Sequence, residues 1–473
     1  MDQSCDRTRN SLSQSPTPPL VGVETGPASE FTGKYMVLLR DGEMKEGLQA
    51  IKRVASLTSV CVAADYEGAA VRMDEAGKAE VFVLDKLGVA VVSADPPQLR
   101  RLQSAAAEGG AILAVEPERI MYAIEPARDR LAILDYLRGY RDAVNRLYDS
   151  LTGVPGEAEK ELAALTAFTD NAEFTWGVQA TRVNQSRFSG RGVRVAVLDT
   201  GFDLDHPDFV GRPVVSHSFV HVQTIEDVHD HGTHCIGTAL GAQQLAGGVR
   251  RYGCAFGGDI YVGKVLSNQG SGADSAILAG INWAITNSCR VISMSLGARV
   301  QPGGAFSSIY ENVAQRALTS NPGALIIAAA GNDSNRPIVI APVSRPANCP
   351  SILAVAALDS NLGIARFSNG GINPNGGGVD VAGQGVSVFS SVPDSFPAWD
   401  QPGGPGRPWP PRYHTISGTS MATPHVAGIA AMWLEARGAG TTAQGLWQLL
   451  TGSAVRLLLP SRDVGAGLVQ GPV

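Results

Sequence analysis

From about residue 175 to about residue 453, short apolar runs alternate with stretches of helical spacing. Residues 193–199, 259–265, 291–296, 324–330 and 352–357 read as strands, apolar at nearly every position. Residues 231–242, 272–287, 308–321 and 419–436 read as the helices between them. Strands apolar on both faces and separated by helices predict a buried, mainly parallel sheet in an α/β layered fold.

The N-terminal part has another rhythm. Residues 35–40 predict a strand and 45–56 an amphipathic helix. Strands over 80–84 and 88–93, a helix over 96–107 and a strand over 111–124 follow. This β-α-β-β-α-β order predicts a small ferredoxin-like α+β domain. Residues 57–78 fit none of its elements. In 127–170, Leu134, Leu137, Val144, Leu147, Tyr148 and Leu151 recur at helical spacing until Gly153-Val-Pro-Gly156 breaks the run, which predicts a helical connector. Residues 1–30, rich in Ser, Pro, Thr and Gln, read as a disordered leader. The expected plan is a leader (1–30), an α+β domain (31–126), a connector (127–170), the α/β domain (171–458) and a C-terminal tail (459–473).

Composition narrows the partners. The 473 residues carry 38 Lys and Arg against 44 Asp and Glu, a net charge of −6. No basic excess is present to neutralise phosphates, so no nucleic-acid partner is expected. No apolar run nears the ~18–20 residues of a membrane helix, so no membrane partner is expected either. The leader lacks the basic start and apolar stretch of a secretory signal, and the six cysteines show no CxxC pair. Both point to reduced thiols in a cytoplasmic protein, or to a secreted one if a signal precedes this sequence.

The unusual count is 55 glycines, and several stand beside reactive side chains. The run 195–201 is an apolar strand ending Asp199-Thr-Gly201, which reads as a catalytic carboxylate or a turn-capping Asp. In His231-Gly-Thr-His234-Cys-Ile-Gly237 a histidine opens a helix, where it can act as a general base. The cluster His229, His231 and His234 also resembles metal-ligand spacing. Ser417-Gly-Thr-Ser420-Met-Ala-Thr-Pro424 places a serine on a glycine-led helix entry, where the dipole favours negative charge. Pro424 is expected in the first turn of that helix, where no N–H is needed. Finally, Ala328-Ala-Ala-Gly331-Asn332 ends a buried strand in an amide, either an oxyanion donor or a turn former.

Together these segments resemble the subtilisin-like serine proteases, in the chain order Asp199, His231, Ser420 that the family uses. The resemblance implies a three-layer fold and an endopeptidase. Ser420 would be its nucleophile, His231 its general base, Asp199 the orienting carboxylate and Asn332 the oxyanion donor. His234 becomes structural, and the metallo-hydrolase reading recedes. Gly270-Ser271-Gly272 and Ser295-Leu296-Gly297 match the segments that sandwich an extended protein or peptide substrate. Ala329, Ala330 and Gly331 would wall a specificity pocket closed near 343–346, with no acidic residue in it and Arg345 within reach. Cys235 matches a buried cysteine found in some members.

The chemistry would need no cofactor. Asp208, in His206-Pro-Asp208, matches a structural calcium ligand of the family, whereas 241–247 lacks the family's Asn-rich calcium loop. Gly88–Asp95 and Ala114–Tyr122 resemble the inhibitory propeptides of the same proteases. Residues 31–126 would then be the chain's own inhibitor within a zymogen, with Ile120–Ile124 as its tail in the active site. The processing point falls between about Glu125 and Trp176. Two other readings stay open: a maturation protease dedicated to one precursor, and a peptide-binding pseudoprotease.

Overall fold

The computed structural model describes residues 30–124, 168–245, 248–394 and 412–473. The expected leader, almost all of the connector and the Pro-, Gly- and Trp-rich stretch 395–411 lie outside the described residues.

The strands 193–199, 259–265, 291–296, 324–330 and 352–357 assemble much as their apolarity requires. β6 (Arg194–Asp199), β7 (Val214–Ser218), β8 (Asp259–Lys264), β10 (Val291–Met294), β12 (Leu325–Ala329), β13 (Leu353–Leu358) and β14 (Val381–Gln384) form one sheet. Its order is β14-β13-β12-β10-β6-β8-β7, and every pairing is parallel. Helices cover both faces, giving three layers. Helix α5 (His231–Leu240) and α8 (Thr419–Arg437) pack on one side, and α6 (Asp274–Thr286) and α7 (Ser308–Thr319) on the other. The chain leaves β6 toward β8 and β7, then crosses back to β10 and beyond. The boundary between β6 and β10 is therefore the switch point, beyond whose carboxyl ends such sheets place their sites.

The N-terminal layer is a second, antiparallel sheet. β1 (Phe31–Leu39) lies between β5 (Ile112–Ala123) and β4 (Val89–Val92), and β3 (Val81–Leu84) pairs with β4. This order, β5-β1-β4-β3, is the ferredoxin-like arrangement of the split pattern. Both faces of β1 are apolar. Val37 and Leu39 pack with the layer's own helices α1 (Met44–Ala55) and α3 (Pro96–Ala107), while Met36 and Leu38 join the cluster that contains α6 and α7. A capping box starts α3: the Asp95 side chain accepts from Gln98 N–H and the Gln98 side chain from Asp95 N–H.

Three sequence expectations shift. The helix foreseen over 272–287 begins at Asp274, because Ser271–Ala273 (β9) pairs with β5 instead. The strand foreseen over 291–296 divides for the same reason, and Leu296–Gly297 (β11) also pairs with β5. The last residues are no tail. Leu468 and Val469 are buried, and the backbone of 467–469 bonds along β14 through Ala382. The five described cysteines are unpaired, and Cys61 alone among them is not fully buried. Among the described residues no helix is long and apolar enough to cross a membrane.

Candidate active site

Asp199 is the last residue of β6 and is fully buried. Its Oδ1 accepts from Thr200 N–H and from His231 Nδ1, each at 2.7 Å. His231 opens α5, and Asp227 holds the backbone on both sides of that start: one carboxylate oxygen takes His229 N–H and Asp230 N–H just before the helix, the other Thr233 N–H in its first turn. Thr200 Oγ1 donates to Asp227 and accepts Gly232 N–H, which ties the β6 loop to the helix entry. Burial alone would pull the His231 imidazole down. The facing Asp199 charge, with its hydrogen bond, outweighs this and holds His231 well above its ordinary value.

Beneath this pair lies Lys264, the last residue of β8, with no exposed surface. Its ammonium donates to Thr200 O and, at 3.2 Å, to Glu226 O. Burial lowers it, while Asp227 and Asp199 counter that. No sequence motif singled it out, although a lysine ending an apolar strand is itself a signal, since an unpaired buried cation is costly.

Ser420 is the second residue of α8. Pro424 lies in the second turn of that helix, one turn later than expected. There it removes the N–H that would bond the Ser420 carbonyl. That carbonyl accepts instead from Ser295 Oγ at 2.8 Å and from Cys235 Sγ at 3.5 Å.

Asn332 follows β12. Its Oδ1 accepts from Thr419 N–H and Thr419 Oγ1, both at 2.9 Å, which fixes the amide so that Nδ2 faces the cleft. Gly331 has φ +111°, and a Cβ there would strike Ser344 Oγ and Asn369 Nδ2, so only glycine turns the chain into Asn332 here. Its neighbour Ala330 bonds to Val355 through N–H and to Ser344 through its carbonyl.

The chain's own residues 120–124 occupy the cleft as an added strand. Ile120, Met121 and Tyr122 pair antiparallel with Ala273, Gly272 and Ser271, and Tyr122 and Ala123 pair with Gly297 and Leu296. Ala123 N–H donates to Gly270 O at 2.8 Å, and Ile124 N–H to Ser295 O at 3.3 Å. The Ile124 carbonyl then lies between two donors, Ser420 Oγ at 2.7 Å and Asn332 Nδ2 at 2.9 Å. His231 Nε2 is buried, with no hydrogen bond of its own. A Cβ on Gly297 would sit 2.9 Å from Ile124 Cδ1, so that glycine keeps the pocket open.

Other expected residues separate from the site. His234 Nε2 donates to Val388 O at 2.9 Å, and burial pushes the ring down to about 3, a neutral structural histidine. Among the described residues, the group close enough to share an ion is Asp199, His231 and Cys235, so His229 and His234 do not complete a metal cluster. Arg345 sends its guanidinium to Ala305 O at 3.2 Å. Within the specificity segment, Ser344 Oγ donates to the carboxylate of Asp333, which lies outside that segment, at 3.3 Å.

Asp208 does not fit the expected calcium role. Tyr252 OH donates to one of its oxygens and Tyr413 OH to the other, the latter at 2.8 Å. Calcium takes six to eight oxygen ligands, whereas Asp208 faces two phenols inside an aromatic cluster and, among the described residues, joins no group of three or more acidic, His or Cys side chains close enough to share an ion.

A cleft that lays a peptide strand against a serine, a buried Asp–His pair and an amide donor defines the peptide-bond hydrolases. By sequence, residues 190–467 match the subtilase family of peptidases, and the chain belongs to that family as a subtilisin-like serine endopeptidase. It is 32% identical to a thermostable alkaline protease of Halalkalibacterium halodurans over 370 residues, covering 76% of this chain and 90% of the relative. It is 36% identical to subtilisin E of Bacillus subtilis over 267 residues, 56% of this chain and 62% of that one. Thermitase of Thermoactinomyces vulgaris is 36% identical over 244 residues, 51% of this chain and 75% of the relative.

Proposed function

We propose that the chain is a zymogen that cuts its own Ile124–Glu125 bond and then cleaves other polypeptides in the same cleft. The observation that carries this reading is the Ile124 carbonyl oxygen, held by Ser420 Oγ and Asn332 Nδ2. The likeness to the alkaline protease adds weight. It covers 76% of the chain, more than residues 125–473 supply, so it runs into the N-terminal layer.

In this reading Ser420 Oγ bonds to the Ile124 carbonyl carbon while His231 Nε2 takes the hydroxyl proton. Asp199 holds the opposite ring N–H and stabilises the imidazolium. The oxyanion keeps the Asn332 donor, an interaction worth ~3–4 kcal/mol of barrier, and gains the backbone N–H of Ser420 itself in the first turn of α8. The C–N bond then breaks, and the His231 proton passes to the Glu125 nitrogen. Water deprotonated by His231 hydrolyses the acyl-enzyme. The steps use side chains and water alone.

Later substrates would follow the same track. Met121 is fully buried and Tyr122 is 43% exposed, which favours an apolar side chain at the fourth position before the cut and tolerance at the third. Ile124 favours an aliphatic residue at the first.

N-terminal sequencing of the wild-type chain beside Ser420→Ala tests the proposal. The wild type should yield a product starting at Glu125 and label with a fluorophosphonate, while the variant should do neither. Cutting elsewhere, or cutting retained in the variant, would defeat it.

A further inference from the structure

We infer that residues 58–80 form a second docking arm, away from the cleft, that keeps the N-terminal layer seated after its tail is cut. The inference rests on the self-processing reading and adds a regulatory contact to it.

These residues cover the stretch that fits no element of the ferredoxin-like pattern, and they are well built. Thr58 N–H and Ser59 N–H donate to the Glu80 carboxylate at 2.8 and 3.0 Å, closing the base of the arm. β2 (Val60–Val62) adds in parallel to the free edge of β3. Tyr66 OH donates to Glu75 at 2.7 Å across the arm, and Arg72 pairs with Glu75 at 3.2 Å.

The underside faces the protease. Ala63, Ala69, Val71 and Ala76 are buried in the cluster that holds Phe219 and Trp283. Polar contacts fix the register. Asn287 Nδ2, just past the end of α6, donates to Gly68 O at 3.0 Å. His217 Nε2, on the sheet-edge strand β7, donates to Val71 O at 2.9 Å. Lys86 N–H, just beyond the arm, donates to Asn282 Oδ1 at 3.0 Å.

Besides its tail, the layer is held by its sheet face on α6 and α7, and the arm adds to that hold once a substrate displaces residues 120–124. This added attachment shifts the competition with substrate. It keeps the cut tail at high effective concentration beside the cleft, so displacement reverses before the layer escapes. Activation then waits on loss of the arm rather than on cleavage.

The test uses the full chain as wild type, as His217→Ala/Asn287→Ala and as Val71→Asp, with neither polar residue belonging to the catalytic machinery. After cutting, size exclusion follows the 1–124 fragment, and a small peptide substrate reports the lag before full activity. Loss of the two polar contacts should shorten the lag about tenfold, since each ordinary hydrogen bond contributes modestly and tenfold is a small energy. The final kcat/KM should be unchanged. A lag and co-elution equal to wild type in the double variant would overturn the arm, even if Val71→Asp fails to fold.

A second readout needs no cutting. In full-length Ser420→Ala, amide exchange over 60–76 should be slow, and at least tenfold faster once His217 and Asn287 are also alanine. Fast exchange in both would overturn the arm whatever the lag shows. Absence of cutting in the wild type would instead defeat the self-processing reading and leave the exchange result to decide the arm.

Discussion

The Ser420 carbonyl accepts its hydrogen bond from Ser295 Oγ at 2.8 Å because Pro424, four residues on, has no N–H to offer. Pro424 thus frees one helix carbonyl, and a residue bordering the substrate track claims it. Pro424→Ala supplies the competing N–H, and Ser295→Ala removes the donor. Both variants should fold, with kcat on a small peptide lowered about five- to tenfold and KM little changed, the worth of about 1 kcal/mol. Steady-state kinetics decide it, and unchanged kcat in both would show the bond to be idle.

His231 must be neutral to accept a proton, yet Asp199 holds it above its ordinary 6.5. Self-cutting and peptide hydrolysis should therefore rise with pH through an apparent pKa above that value and fail below it. Lys264→Met removes the buried cation that faces Asp199, so protonated His231 persists further and the acid limb moves to still higher pH. It also strands the Thr200 and Glu226 carbonyls, at about 1–3 kcal/mol each. A pH profile of kcat/KM with a melting curve reads both effects, and a limb moving downward would refute the electrostatic part.

Asp274 begins α6 under the N-terminal layer, where it accepts Arg119 N–H and Tyr310 OH. Burial raises its carboxyl to about 7. Those two bonds and the Arg345 charge resist the shift, and nearby Glu118 adds to it. A carboxyl that is easier to protonate when covered takes up a proton on seating. The hold on the layer should be strongest in acid, weaken from about pH 4 to about pH 7, and level off above. Release rates of the cut layer, followed by size exclusion, should lose this slope in Asp274→Asn.

Tyr252 and Tyr413 close both oxygens of Asp208. Removing one hydroxyl leaves a buried oxygen unpaired, at a cost of about 1–3 kcal/mol. Tyr413→Phe should lower the melting temperature of full-length Ser420→Ala by a few degrees, whether or not calcium or a chelator is present. A melting temperature that calcium raises in the parent but not in Asp208→Asn would restore the metal reading.

The reactive side chains were legible because each ends a strand or opens a helix beside a glycine: Asp199 on β6, His231 on α5, Asn332 after β12. The sheet was legible through strands with no polar face. What escaped the sequence was whatever depends on a distant partner. Helical spacing over 272–287 starts the helix too early, because residues 272 and 273 pair with Met121 and Ile120, a strand pairing that the resemblance implied and the spacing did not. The helix start at Thr419 was legible, yet Pro424 reads as a first-turn proline although it lies one turn further in, where the lost N–H matters. Asp208 looks like a metal ligand until Tyr252 and Tyr413, far along the chain, supply its partners. Residues 57–78 had no periodicity to read, since their order comes from Glu80 and from the surface of α6.

The cluster that joins Met36, Leu38 and Phe82 to Ile277, Trp283 and Tyr310 has a thermal consequence. Separating the N-terminal layer wets apolar surface on both sides, so the process carries a positive heat-capacity change. Apolar association weakens as water cools. The layer should therefore part from the protease more readily near freezing than at room temperature, with Trp283 fluorescence marking the step. Chilling, rather than heating, is the gentle way to take the molecule apart.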